Sequence, residues 1–379
     1  MRRRSFLLSA IGIILAGAAH ACIWDTDTLD TEVKGKLDIV TTVTGRFPRN
    51  PPRYYEMRLA RVTEEVKCTP EKLGLYDDAG AACDYLGRGP EAISWMERKA
   101  AAMKQLPATS DDRYRYEANL GTFLAHRWFR DKRPSERIGE LKAARAHIAA
   151  ALAINPNAHF GRERVQLDLL DWNLYRMSPE PPPDSRNTEL PPGSMEKFLT
   201  WRFHYRKKED TSTELTKGLC GIIQLGGAWE NADIFTALTE SLPFEDNALA
   251  FFAGCRVKEL NPAYLNFGNI YGTNVDNVKA NFARLRADAD AWQKSRTDYM
   301  EARMAQGKHP DTDPMFWNDW HESPMPPIQV SPIERLSVLF TTPNSPWQGL
   351  GTFLVLAIPV ASIWGLVALI RRLLRHKAA

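Results

Sequence analysis

The sequence predicts an all-α fold in which stacked helical hairpins precede a single C-terminal transmembrane helix. Three observations carry that expectation. Small residues recur at helical spacing in two successive hairpin patterns between Tyr76 and Pro156. A weaker helical periodicity follows from Met195 to Gly307. Last, Gly349 to Ile370 is an uncharged, mainly apolar run of 22 residues, which at about 1.5 Å rise per residue matches a bilayer core of about 30 Å.

The hairpins are the most legible part. In the first, Gly80 lies in one helix, Leu86-Gly87-Arg88 makes the turn, and Glu91-Ala92-Ile93 opens a second helix carrying Met96 and Ala100. The second has Leu120-Gly121 and Leu124 in its first helix, then Ala144, Ile148 and Ala151-Leu152 before the stop Ile154-Asn155-Pro156. Gly or Ala on facing surfaces lets antiparallel helices approach to about 8–10 Å while larger apolar residues fill the grooves.

These residues resemble the tetratricopeptide repeat, a unit of about 34 residues patterned W-x2-L-G-x2-Y, A-x3-F, then P. The likeness rests on Leu120, Gly121, Leu124, Ala144, Ile148, Ala151, Leu152 and Pro156, preceded by Tyr76, Gly80, Gly87, Ala92 and Met96. The departures are the missing opening Trp, Cys83 where an aromatic is usual, and about eleven extra residues near Trp128 to Ile138 relative to that repeat length. The resemblance implies a solenoid with an extended concave binding surface. In that family the groove is lined by the first helix of each repeat, which here implies Asp77, Asp84, Tyr85, Arg115, Thr122 and His126 as partner-binding residues. Members that clamp C-terminal carboxylates use Lys and Asn where this chain has Asp77 and Ala118, so that ligand is not implied. An ordinary Ala-rich helical bundle is the alternative reading of the same residues.

The ends of the chain set its expected topology. Residues 1–21 read as an export signal: Arg2-Arg3-Arg4, an apolar run from Phe6 to Ala19, and the cleavage pattern Ala19-His20-Ala21. Arg3-Arg4-Ser5-Phe6-Leu7 resembles a twin-arginine motif, with a general secretory signal as the alternative. Cys22 follows directly, as in lipoproteins, but Ala19 and His20 depart from the usual lipoprotein pattern. Trp347 and Trp364 flank or end the terminal apolar run, and Arg371, Arg372, Arg375 and Lys377 crowd the tail behind it. By the positive-inside rule residues 371–379 are cytoplasmic, the anchor spans 347–370, and the bulk of the chain is extracytoplasmic.

Within the exported part, residues 22–52 read as an extended leader with a short β-branched strand at Leu37 to Val43. The acidic Asp25, Asp27, Asp30 and Glu32 lack the Gly and terminal Glu of a calcium loop. Residues 53–177 hold the repeats: a helix from Tyr54 to Val66, an expected N-cap at Thr69-Pro70-Glu71, the two hairpins, and a capping helix from Val165 to Met177. The linker 178–194 has six prolines and cannot hold a helix. The second helical region, 195–307, ends one helix at Glu259-Leu260-Asn261-Pro262 and contains a long helix, Val275 to Met304, with Val278, Phe282, Leu285 and Trp292 as its buried face. Residues 308–346 read as a Pro- and aromatic-rich strap followed by a juxtamembrane helix opened by Ser331-Pro332-Ile333-Glu334.

Charge and cysteines exclude several function classes. The formal charge is +3, but removing the seven basic residues of the two ends leaves 42 basic against 46 acidic residues, which argues against nucleic acid as a partner. Five cysteines form no C-x-x-C pattern. Bridges between Cys68 and Cys83 or between Cys220 and Cys255 are open alternatives to buried free thiols. No nucleophile elbow, P-loop or dinucleotide fingerprint is present, and no cofactor is expected. The densest set of potential ligands is His309, Asp311, Asp313, Asp319 and His321. It keeps an envelope metalloenzyme as the alternative to the expected role, a non-enzymatic scaffold in a bacterial plasma membrane that binds another envelope protein or a peptide segment of one.

Overall fold

The computed structural model describes residues 38–329, apart from 106, 132–134, 157–160, 178–194, 207–211, 243–246 and 264–274. The expected export signal, linker, juxtamembrane helix, transmembrane helix and basic tail lie outside the described residues. Among those described, no helix is long and apolar enough to cross a membrane. The chain divides at Pro326, and every helix named below belongs to the first unit, Met1–Pro326.

Twelve α-helices and no strand occur among the described residues. The first, α1 (Ile39–Thr44), replaces the expected strand. Asp38 caps it by accepting from the Thr41 amide at 2.7 Å, and the hydroxyls of Thr41, Thr42 and Thr44 bond to carbonyls three or four residues back. Gly45 ends it in the left-handed region, at φ 81°. Local capping and the burial of Thr42 and Val43 thus outweigh the β preference of a Val- and Thr-rich stretch.

Next, α2 (Pro52–Cys68) starts on a proline at its first position, where the missing N–H costs nothing. Thr69 is its C-cap, and Pro70 and Glu71 lie in the turn that follows, so Thr69-Pro70-Glu71 closes one helix instead of opening another. The first hairpin is α3 (Gly74–Tyr85) and α4 (Gly89–Met103), turning at Gly87 with φ 75°. The second is α5 (Ser110–Arg130) and α6 (Ile138–Ile154), capped at the expected Asn155. A reciprocal capping box between Thr109 and Asp112 opens α5. Part of the extra length in this hairpin is helix: α5 continues to Arg130 and buries Trp128 and Phe129 against Leu141 and Leu167.

The two helical glycines act as the sequence predicts. A Cβ on Gly80 would lie 2.9 Å from Phe123 Cε2 and 3.0 Å from Met96 Cε. One on Gly121 would lie 2.8 Å from Ile148 Cδ1 and 2.9 Å from the Ala144 carbonyl oxygen. Gly80 therefore seats α3 on both its hairpin partner and the first helix of the next hairpin.

The stack continues through α7 (Arg162–Arg176), which packs on α6 and hands over to α8 (Phe198–Arg206) and α9 (Ser212–Leu225). Then α10 (Ala232–Ser241) and α11 (Asn247–Leu260) pair, and α12 (Val275–Met304) returns to contact α1, α2 and α11. Val278, Phe282, Leu285 and Trp292 of α12 are buried, as its periodicity requires. The largest apolar cluster joins α1, α7 and α8 to α12, whereas α2 to α5 share a smaller one. After α12 the chain crosses α2 and α12 as a strap of turns, with Phe316 fully buried against Tyr55, Met300 and Met304.

Candidate functional site

The polar residues singled out on the first helices of the hairpins are brought together, but inside the stack. Asp77 of α3 accepts from Lys99 Nζ of α4 at 2.6 Å and from Asn119 Nδ2 of α5 at 3.0 Å. One heptad further along, Asp84 accepts from His126 Nδ1 at 2.6 Å and from Arg130 at 2.7 Å, and its carbonyl accepts from Arg130 at 2.9 Å. Thr122 of α5 accepts from Gln166 Nε2 of α7 at 3.1 Å, and the Tyr114 hydroxyl donates to Glu163 at 2.8 Å. Asp168 then receives Arg202 of α8 at 2.7 Å.

This is a ladder with a near-constant step. Asp77 to Asn119 and Asp84 to His126 are each separated by 42 residues, and Thr122 to Gln166 by 44. Each rung joins one helix to its counterpart in the next unit, so one register is kept across α3, α5 and α7. Buried polar groups need such partners, because each one left unmade costs on the order of 1–3 kcal/mol.

The electrostatics differ along the ladder. Burial pushes the Asp77 carboxyl up, although Lys99, Asn119 and Arg115 oppose it. For Asp84 burial acts in the same direction, yet His126 and Arg130 together overcome it and hold the carboxyl below the usual range. At Asp84 both opposing groups hydrogen-bond the carboxyl directly, whereas at Asp77 the second cation, Arg115, acts only at a distance. Burial also raises Glu163 in spite of Arg162 and Tyr114.

Of the six residues expected to line a groove, Asp77, Asp84, Thr122 and His126 are therefore buried and engaged between helices. The helix faces were assigned from a repeat whose groove is open, whereas here those faces meet the next helix. Tyr85 is half-buried, stacked on Tyr55 at 4.4 Å, with its hydroxyl donating to the Leu225 carbonyl at 3.2 Å. Arg115 is partly exposed and pairs with Asp111 at 2.6 Å. Sequence reasoning missed Lys99, Asn119, Arg130, Glu163 and Gln166. The signal that could have found part of the set is the repeated i, i+7 pairing, Asp77 with Asp84 and Asn119 with His126, displaced by one constant interval.

The His309–His321 segment is a latch. Arg58, wholly buried, donates to both Asp311 oxygens at 2.8 and 2.7 Å, and Arg61 adds a bond at 2.6 Å. Arg58 also bonds to the Tyr54 hydroxyl, which lies 3.2 Å from Asp311. The His309 ring stacks on Tyr54 at 4.6 Å. Its Nε2 lies 3.0 Å from the Tyr54 carbonyl, which can only accept, and its Nδ1 receives the Asp311 amide at 3.1 Å. Those partners fix the neutral tautomer with hydrogen on Nε2, in keeping with a pKa lowered chiefly by burial. Both nitrogens are thus engaged within the protein, and no group of three potential metal ligands forms among the described residues.

Cys68, Cys83, Cys220 and Cys255 are free thiols. Burial pushes Cys83 and Cys220 up to about 12 and Cys255 to about 11, which leaves them protonated and weakly nucleophilic at neutral pH.

Compared with protein-family models, curated proteins and solved structures, the chain matches none.

Proposed function

We propose that this protein is an exported, membrane-anchored scaffold of tetratricopeptide type that binds another protein of a bacterial cell envelope. The observation that carries the reading is the ladder of polar rungs between α3, α5 and α7 at intervals of 42 to 44 residues. A register repeated across three helices is how a stack of nested hairpins keeps a fixed face toward a partner. The signal-like residues 1–21, the apolar run 349–370 and the basic tail 371–379 support an extracytoplasmic bulk with a cytoplasmic C-terminus.

Because four of the six expected groove residues are buried, the partner surface in this reading is drawn from Arg115 and from exposed apolar residues such as Phe203 and Met315, 66% and 57% exposed. Photo-crosslinking residues placed at Arg115, Phe203 and Met315 in intact cells test it. One discrete envelope protein captured by at least one position, and by none of the buried ladder positions, is the expected result. Capture of nothing, or digestion of the helical region only after the cytosol is opened to protease, overturns it.

A further inference from the structure

We infer that the arginine cluster around Trp229 is a binding site for a small phosphate-class oxyanion, with Arg49 as its main donor. Three guanidinium groups from distant parts of the chain converge on one indole. Their carbons lie 3.8 Å (Arg256), 4.9 Å (Arg49) and 5.0 Å (Arg286) from the ring centroid. The loop after α1, helix α11 and helix α12 each supply one.

Two of the three have acidic partners. Glu259 accepts from Arg256 at 2.7 Å and from Arg286 at 3.2 Å. Arg286 also pairs with Asp290, and Glu230 lies 3.4 Å from Arg256. Arg49 differs. Its Nη1 donates to the Gly45 carbonyl at 2.7 Å, and its face stacks on Phe47 and Trp229. Among the described residues, no carboxylate is at ion-pairing distance from it. It is half-buried and feels the charges of Arg286 and Arg256. Burial first and then Arg286 push its pKa down to about 10, with Arg256 adding to this and Asp290 and Glu230 opposing it.

Glu230, Glu259 and Asp290 engage Arg256 and Arg286 directly, and of these Asp290 and Glu230 act on Arg49 only at a distance. An anion is the partner that a half-buried guanidinium takes. Arginine donates along a planar fork suited to phosphate oxygens. A tetrahedral oxyanion can take donors from Arg49 and Arg286, which reach Trp229 from different elements. A phosphate ester or free phosphate offers the same group.

The test uses the full-length protein in detergent, titrated at constant ionic strength with inorganic phosphate, with glycerol 3-phosphate in parallel, followed by calorimetry and Tm. Saturable binding and a rising Tm are expected with at least one of them, and the tighter ligand names the source. Arg49→Gln should weaken binding about tenfold, the loss of one charge-assisted contact. Asp290→Asn removes an exposed competing carboxylate and should tighten binding severalfold. No binding beyond that of chloride, or unchanged affinity in Asp290→Asn, overturns the site. So does unchanged affinity in a folded Arg49→Gln.

Discussion

The two halves of the helical unit are held together differently. From α3 to α7, polar rungs repeat at intervals of 42 to 44 residues and glycines set the closest approaches. From α8 to α12, one large apolar cluster dominates, joining Leu215, Leu219, Phe235, Phe251, Phe252 and Phe282 to Val165 and Trp172 of α7. A repeated polar rung admits one register, since a slip strands charge in a dry interface. An apolar contact tolerates shifts, since one hydrophobic side chain can replace another of similar volume. That difference explains why the first half shows its spacing in the sequence and the second does not.

The largest effect that separates the halves is a stranded charge. Lys99→Met should leave the buried Asp77 carboxylate without its ion-pair partner and cost about 3–5 kcal/mol, while the double variant Asp77→Leu/Lys99→Met recovers most of it. In the apolar half, Leu219→Ala should cost about 2–5 kcal/mol through a cavity that no charge-removing partner restores. Denaturant unfolding of the three variants checks both. A double variant as unstable as Lys99→Met would break the comparison.

Glycines sharpen it at smaller scale. Gly121→Ala should cost about 1–3 kcal/mol, because the added carbon meets the Ala144 carbonyl as well as Ile148. Gly218 in α9 meets chiefly the Val165 side chain, so Gly218→Ala should be largely rescued by Val165→Ala. Gly139, with nothing within 4 Å, is the control. Gly139→Ala should gain about 0.5 kcal/mol or slightly more, the ordinary helix preference.

Acid unfolding tests the ladder's charges separately. The Asp84 carboxyl is held below its unfolded value of about 3.9. Its contribution is therefore present above that value and lost as pH falls through the folded one. Asp84→Asn should remove up to about 1.4 kcal/mol per pH unit of slope below about pH 4. Asp77 is shifted the other way, so its ionisation erodes stability as pH rises from about 3.9 toward its folded value, and Asp77→Asn should flatten that limb.

Much of the local structure was legible. Gly87 at the first turn, Asn155 and Asn261 after helix ends, and the buried face of α12 are consequences of φ preference, capping and 3.6-residue periodicity, all local quantities. The stretch after Leu37 is β-branched, but the Asp38 cap and the Gly45 stop are the stronger local signals and make it a helix. Most of the site was not legible. Asp77 and His126 lie on faces that periodicity assigns, but whether a face meets solvent or another helix depends on segments 42 residues away.

From its own pattern, then, the chain determined that it forms α-hairpins, where they turn, and which small residues let them close. Tertiary structure alone decided that Asp84, His126 and Arg130 share one buried cluster, that Asp311 latches the strap to Arg58, and that three arginines surround Trp229. The reason is range: backbone preference acts over a few residues, whereas pairing and desolvation of charge depend on what the rest of the chain brings within about 4 Å.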